Sequence, residues 1–174
     1  MTTRGFEYQS LSLCDALDLA ILIEEEAKER YEEFTDQMEK HHTAEAAQFF
    51  RFMAGNEEKH RAELAARREQ LFGDRKGNVT RAMIFDIEAP EYDEARAFMT
   101  PRQALETALR SEEKARAFFD EALPHVEDGD VRKLFQELLA EEVEHKELVE
   151  REIAKLAPDD GFSQRDFEDE PVPQ

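Results

Sequence analysis

Two short strings could carry chemistry. Residues 57–60 read EEKH and residues 142–145 read EVEH, so Glu57 precedes His60 by three positions and Glu142 precedes His145 by three. On a helix, positions i and i+3 share a face, so both side chains of such a pair reach one point. A carboxylate and an imidazole placed that way are donors for a divalent cation. In a chain with 43 Asp and Glu residues such a pair also arises by chance, and Glu39 with His42 is a third case. Composition therefore decides nothing. What decides is where each pair falls on its helix.

Four long segments have a helical period. The first is capped by Ser12, with Asp15 three residues on, and runs to about His41. The second follows Thr43, a favourable N-cap, and runs to Leu71, with Gly73 placed to end it. The third opens on Thr100-Pro101-Arg102-Gln103, which supplies a cap, a proline at the first helical position and a capping-box glutamine; it ends near Pro124 to Val126. The fourth follows the EDGD turn at 127–130 and runs to about Leu156. Short turns join the first helix to the second and the third to the fourth, which makes two antiparallel hairpins. The long connection between them, about 73–99, carries Val79, Met83, Ile84, Phe85, Ile87, Tyr92, Phe98 and Met99 and must pack on something; a short helix is expected at 91–98. Residues 1–157 thus read as one domain, followed by an acidic, aperiodic tail at 158–174 that is expected to be mobile.

The two hairpins align with each other. AILIEEEAKERYEEF (20–34) matches ALRSEEKARAFFDEA (108–122), pairing Glu24 with Glu112 and Tyr31 with Phe119. FFRFMAGNEEKHRAEL (49–64) matches LFQELLAEEVEHKELV (134–149), pairing Glu57 with Glu142 and His60 with His145. The inward seam of a bundle helix recurs at alternating steps of three and four. In the first helix it is Leu13, Leu17, Ala20, Glu24, Ala27, Tyr31, Phe34 and Met38; in the third it is Leu105, Ala108, Glu112, Ala115, Phe119, Ala122 and Val126. The second gives Phe50, Met53, Glu57, His60, Leu64 and Leu71, and the fourth gives Val131, Phe135, Leu138, Glu142, His145, Val149 and Leu156. Neighbouring glutamates such as Glu25, Glu29, Glu141, Glu144, Glu147 and Glu150 fall off these lines, as does Glu39.

An unpaired carboxylate in an apolar core costs on the order of several kcal/mol. Four are tolerable only with cations among them. Four carboxylates and two imidazoles converging mid-bundle form a donor set for two divalent metals, a Glu from each of two helices and Glu-x-x-His from each of the other two. The fold class expected is all-α, a four-helix bundle of two duplicated hairpins joined by a long crossover, an arrangement that resembles the ferritin-like bundles.

At these residues the chain resembles the rubrerythrin-type branch of the ferritin-like superfamily, over about residues 13–156 without the long connection. The Glu-x6-Tyr of Glu24 and Tyr31, the EEKH of the second helix and the EVEH of the fourth carry the resemblance. It implies two Fe ions, with Mn or Zn as substitutes. Glu57 and Glu142 would bridge them, Glu24 and His60 would lie toward one, and Glu112 and His145 toward the other. It also implies a role for Tyr31, its hydroxyl bonding a ligand carboxylate; the alternative is a core aromatic satisfied elsewhere. Two features depart from the family pattern. A single cysteine, Cys14, cannot build the four-cysteine rubredoxin-like site, and Ala115 stands where rubrerythrins carry an extra glutamate in the third helix.

The resemblance implies oxidation of Fe(II) by a small-molecule oxidant, peroxide or oxygen, as a ferroxidase or a peroxide scavenger; the latter needs an external electron donor. A non-catalytic iron-binding, storage or delivery protein is the alternative, and a metal-free structural bundle a third reading. The formal net charge of −20 argues against nucleic-acid partners. No apolar run is long enough for a membrane span or a signal peptide, so a cytoplasmic location is expected. Phe49, Phe52 and Phe118 lie off the seam and need cover, from the connection or from a second copy; a homo-dimer or larger homo-oligomer is expected. Cys14 reads as a small buried residue near a helix start, and His41, His42 and His125 as turn residues in solvent.

Overall fold

The computed structural model describes residues 8–84, 87–90 and 99–156. The helix expected at 91–98, the side chains of Phe85, Tyr92 and Phe98, and the tail at 158–174 lie outside the described residues. Within them the fold is all-α: helices α1 (Leu13–Lys40), α2 (Ala44–Phe72), α3 (Arg81–Ile84), α4 (Pro101–Ala122) and α5 (Gly129–Lys155), with single 3-10 turns at Tyr8–Ser10 and Leu123–His125. Helix α1 packs chiefly on α2 and α4 on α5, and the two hairpins close into a ferritin-like four-helix bundle.

The helix ends follow local chemistry. The Ser12 hydroxyl accepts from the Asp15 backbone N–H, and Thr100 with Gln103 forms a complete capping box ahead of Pro101. Asp128 caps α5 through the N–H groups of Asp130 and Val131, one residue inside the expected turn. Gly73 ends α2 at a φ of +50°, a conformation that favours glycine. Thr43 departs from expectation. It occupies the N-cap position of α2, but its hydroxyl donates to the Met38 carbonyl at 3.1 Å and makes no cap bond. The preceding helix end therefore uses the group that α2 would have used.

The core divides into two apolar clusters. One holds Tyr8, Leu17, Ile23, Leu64, Ile84, Ile87, Phe118, Phe119, Phe135 and Leu138. The other holds Tyr31, Phe34, Met38, Phe50, Met53, Leu105, Ala108 and Val149. The crossover contributes to the first through Ile84 and Ile87, as its apolar composition required. Phe118 is buried, its ring edge-on to Tyr8 at 6.2 Å, so the cover it needed comes from the chain's own start. Phe52 remains 49 % exposed on α2. Leu71, assigned to the α2 seam, is 51 % exposed, and it is the next residue, Phe72, that packs on the first cluster. Cys14 is buried and His42 and His125 are exposed as expected, whereas His41 is half-buried.

Candidate metal centre

Each long helix places one glutamate in the gap between the two clusters. On α1, Glu24 lies between Ile23 of one cluster and Tyr31 of the other; on α2, Glu57 lies between Leu64 and Met53. Glu112 is flanked in the same way by Phe119 and Ala108 on α4, and Glu142 by Leu138 and Val149 on α5. All four are buried, whereas Glu25 and Glu26 are half-buried and Glu29, Glu32 and Glu33 exposed. The helical period alone produces this selection, since only seam positions face inward.

The side chains gather into two triads. Donor atoms of Glu24, Glu57 and His60 lie within 4.8 Å of one another, and so do those of Glu112, Glu142 and His145. His60 Nδ1 is 3.9 Å from Glu24 Oε2, and His145 Nδ1 is 3.4 Å from Glu112 Oε2. The two imidazoles stack at 4.7 Å between centroids, 4° from parallel. All six residues singled out by spacing are thus brought together. The decoy pair is not: Glu39 is exposed and ion-paired to Arg51.

A further carboxylate was not anticipated. Glu88, in the crossover, is 1 % exposed and sits within 4.8 Å of donor atoms of both Glu24 and Glu142. It joins the two triads. The segment that carries it, 87–90, is buried throughout. Its backbone is held from two helices, by Arg30 of α1 donating to the Pro90 carbonyl and by Lys114 of α4 donating to the Ala89 carbonyl at 3.0 Å. Ala115 supplies no carboxylate, so the fifth acid of the centre comes from outside the bundle helices.

The electrostatics are those of a charge-rich pocket without counterions. Burial, with neighbouring carboxylates adding to it, pushes Glu24, Glu88 and Glu142 well above the usual carboxylate range. Glu57 is pushed up to about 7, again chiefly by burial and next by Glu112. Burial lowers His60 to about 4, assisted by the neighbouring His145. His145 is also opposed by burial, but the Glu112 carboxylate beside it outweighs that and raises it. Glu24 Oε2, Glu88 Oε2, Glu142 Oε2 and both side-chain oxygens of Glu57 and Glu112 have no hydrogen-bond partner. Buried polar atoms of native proteins are nearly always partnered. Clustered orphan acceptors next to imidazole nitrogens fit cations, so the donor set suits a pair of metal ions.

Tyr31 is buried beside this cluster, its ring stacked on Phe50 at 6.0 Å. Burial first, then Glu112, Glu57 and Glu88, raise its hydroxyl well above the ordinary tyrosine value. The hydroxyl faces Ser111, but the geometry completes no hydrogen bond, and Ser111 instead donates to the Thr107 carbonyl at 3.5 Å. The expected bond from Tyr31 to a ligand carboxylate is not present. Glu141, off the seam of α5, is half-buried and raised by that burial. It lines a cleft of about 220 Å³ between α2 and α5, with Glu63, Arg67 and Glu137, that opens onto His60. Glu144, Glu147 and Glu150 are exposed as expected.

The fold and the paired Glu-x-x-His triads together are decisive when set beside known proteins, for the Rubrerythrin family profile matches residues 15–97 and 103–171. The chain belongs to the rubrerythrin family. A solved relative, an uncharacterized conserved protein from Magnetospirillum magnetotacticum MS-1, is similar at 30 % identity and a TM-score of 0.66, covering 85 % of this chain and 97 % of its own. No curated protein sequence matches the chain. Within this rubrerythrin-family bundle, the buried Glu and His clusters suit a di-iron site. Among the described residues no helix is long and apolar enough to cross a membrane.

Proposed function

We propose that this rubrerythrin-family protein holds two iron ions between Glu24, Glu57, His60 and Glu112, Glu142, His145, and oxidises Fe(II) with peroxide or oxygen. With peroxide, two Fe(II) and two protons consume one H2O2 and yield two Fe(III) and two waters. Two adjacent irons supply the two electrons that this reduction needs. The observation that carries the reading is the pair of complete Glu-Glu-His triads, lined with orphan carboxylate oxygens.

The chain's own residues do the rest. By the family resemblance Glu57 and Glu142 would be the carboxylates shared between the two ions. The apolar clusters on either side exclude bulk water, which strengthens every electrostatic contact inside. The cleft beside His60 gives Fe(II) and a small oxidant a route from solvent, and its glutamates together with the −20 net charge attract cations to it. Turnover as a peroxidase would draw on an external electron donor, because one cysteine cannot form a rubredoxin-like iron site. A cytoplasmic location and a homo-oligomer with Phe52 at its contact complete the proposal.

Anaerobic Fe(II) titration should saturate near two irons per chain, and peroxide or oxygen should then oxidise them rapidly. Unchanged iron binding in the Glu57→Ala, Glu142→Ala double variant would overturn the site. Full binding with no oxidation by either oxidant would leave an iron carrier and refute the catalytic part.

A further inference from the structure

Glu88 is unexplained by a six-ligand centre. It comes from the irregular crossover, yet it is as deeply buried as the helix glutamates, and its Oε2 has no partner. A free carboxylate in such a place is destabilising unless a cation compensates it. Solvent was available to it, since the exposed residues 80–83 lie only a few positions before it. Instead Ile87, Glu88, Ala89 and Pro90 are all turned inward, and two cationic side chains from different helices hold their carbonyls. Arg30 itself is 5 % exposed, and it donates to this carbonyl and pairs with Glu33 at 3.4 Å.

We propose that Glu88 is a seventh metal ligand, delivered by the crossover between the two triads, and that its charge biases the metal pair toward the oxidised state. The proposal rests on the two-metal reading above. The location follows from reach: Glu88 is the one described side chain outside α1, α2, α4 and α5 whose donor atom meets a member of each triad, Glu24 of one and Glu142 of the other. The bias follows from charge. The four helix carboxylates with neutral imidazoles balance two divalent ions in full. Glu88 adds a negative charge that divalent ions leave over and that a higher valence neutralises. In a water-poor site such an excess is poorly screened. Arg30 and Lys114 donate to the backbone carbonyls of the strap, and removing the Glu88 charge shifts the balance in the same direction whatever they contribute.

The test is Glu88→Gln, which keeps shape and removes charge. Anaerobic Co(II) titration, followed by its visible absorption, should show two ions per chain in the wild type. The variant should still take two, with at least one bound tenfold or more weakly and with an altered cobalt spectrum. In the iron-loaded proteins the midpoint potential of the variant should be higher than that of the wild type. The metal-free variant should unfold at the same temperature as the wild type or above it, because Glu88 Oε2 has no hydrogen-bond partner to lose; if Glu88 were purely structural, the substitution would instead lower that temperature and leave the cobalt spectrum and potential alone. Identical cobalt affinity and spectrum overturn the ligand assignment, and an equal or lower potential overturns the bias. A wild type that binds no cobalt pair, with Glu57→Gln and Glu142→Gln equally silent, refutes the two-metal centre itself, and the Glu88 assignment with it.

Discussion

His60 and His145 lie face to face, 4.7 Å apart and within 4° of parallel, although 85 positions separate them in the chain. Two imidazolium rings would repel at that distance, and burial together with His145 accordingly holds His60 down at about 4. The stack is the structural signature of the duplicated hairpin. Equivalent positions on α2 and α5 meet mid-bundle, each beside the seam glutamate of its own hairpin.

From this pairing follows a symmetric pair of losses. His60→Ala should weaken the ion held with Glu24 and Glu57, and His145→Ala the ion held with Glu112 and Glu142, each by about 10- to 100-fold or more. That is the scale on which even residues that only orient metal ligands alter affinity. Cobalt stoichiometry at limiting metal should drop from two toward one in either single variant and toward zero in the double. If one histidine variant binds both ions as the wild type does, that ring is no ligand.

Metal removal should expose how much of the fold depends on the site. A ligand that binds only the folded state stabilises it by about 4 kcal/mol when its free concentration is a thousand times Kd. For a chain of this size about 1 kcal/mol moves Tm by roughly 2–4 °C. Stripping with a chelator should therefore lower Tm by on the order of 10 °C, and adding back Co(II) or Fe(II) anaerobically should restore it. Equal melting with and without metal would support the structural-bundle reading instead.

The pH dependence of the metal-free protein has a sign set by the same carboxylates. Glu24, Glu88 and Glu142 are raised well above 4.5, and Glu57 to about 7. Each keeps a proton in the folded state that the unfolded chain has already released, so stability falls as pH rises from 4.5 through 7 and beyond. His145, also raised, acts in the same direction, and His60, lowered to about 4, opposes it only between pH 4 and 6.5. Each displaced unit corresponds to about 1.4 kcal/mol. In chelator, Tm at pH 8 should lie several degrees below Tm at pH 5.5. With metal present the order should reverse, because binding requires the deprotonated ligands. A metal-free protein more stable at pH 8 would contradict the buried, uncompensated carboxylates.

The six helix-borne residues were legible because a period makes exceptions visible. Glu24 stands out from Glu25, Glu26 and Glu29 only because the seam around it is otherwise apolar, and the same holds for Glu57, Glu112 and Glu142. Glu88 had no such background. The strap at 87–90 is irregular, so no repeat marks which of its side chains faces inward. The available signal was compositional, a glutamate next to Ile87, Ala89 and Pro90 in a segment already required to pack. Two smaller features have local causes. Thr43 was a plausible cap, but the carbonyl of Met38 competes for its hydroxyl. Glu141 sits off the seam yet lines the α2–α5 cleft, because a four-helix bundle buries part of its flanking positions as well as its seam.

Tyr31 separates the two roles left open for it. Its hydroxyl is buried, lacks a hydrogen-bond partner, and faces the carboxylate cluster without bonding to it. An unsatisfied buried hydroxyl costs about 1–3 kcal/mol, whereas the ring keeps its stacking on Phe50 in either residue type. Tyr31→Phe should therefore leave the metal-free protein as stable as the wild type or raise Tm by a few degrees. Metal stoichiometry should stay at two per chain. If the hydroxyl only packs, the cobalt spectrum and the rate of Fe(II) oxidation remain those of the wild type. If metal binding turns a ligand carboxylate toward Tyr31, the same variant changes the spectrum and slows oxidation while the metal-free Tm still does not fall. A metal-free Tyr31→Phe protein that is markedly less stable would mean that the hydroxyl has a partner, contrary to the geometry described.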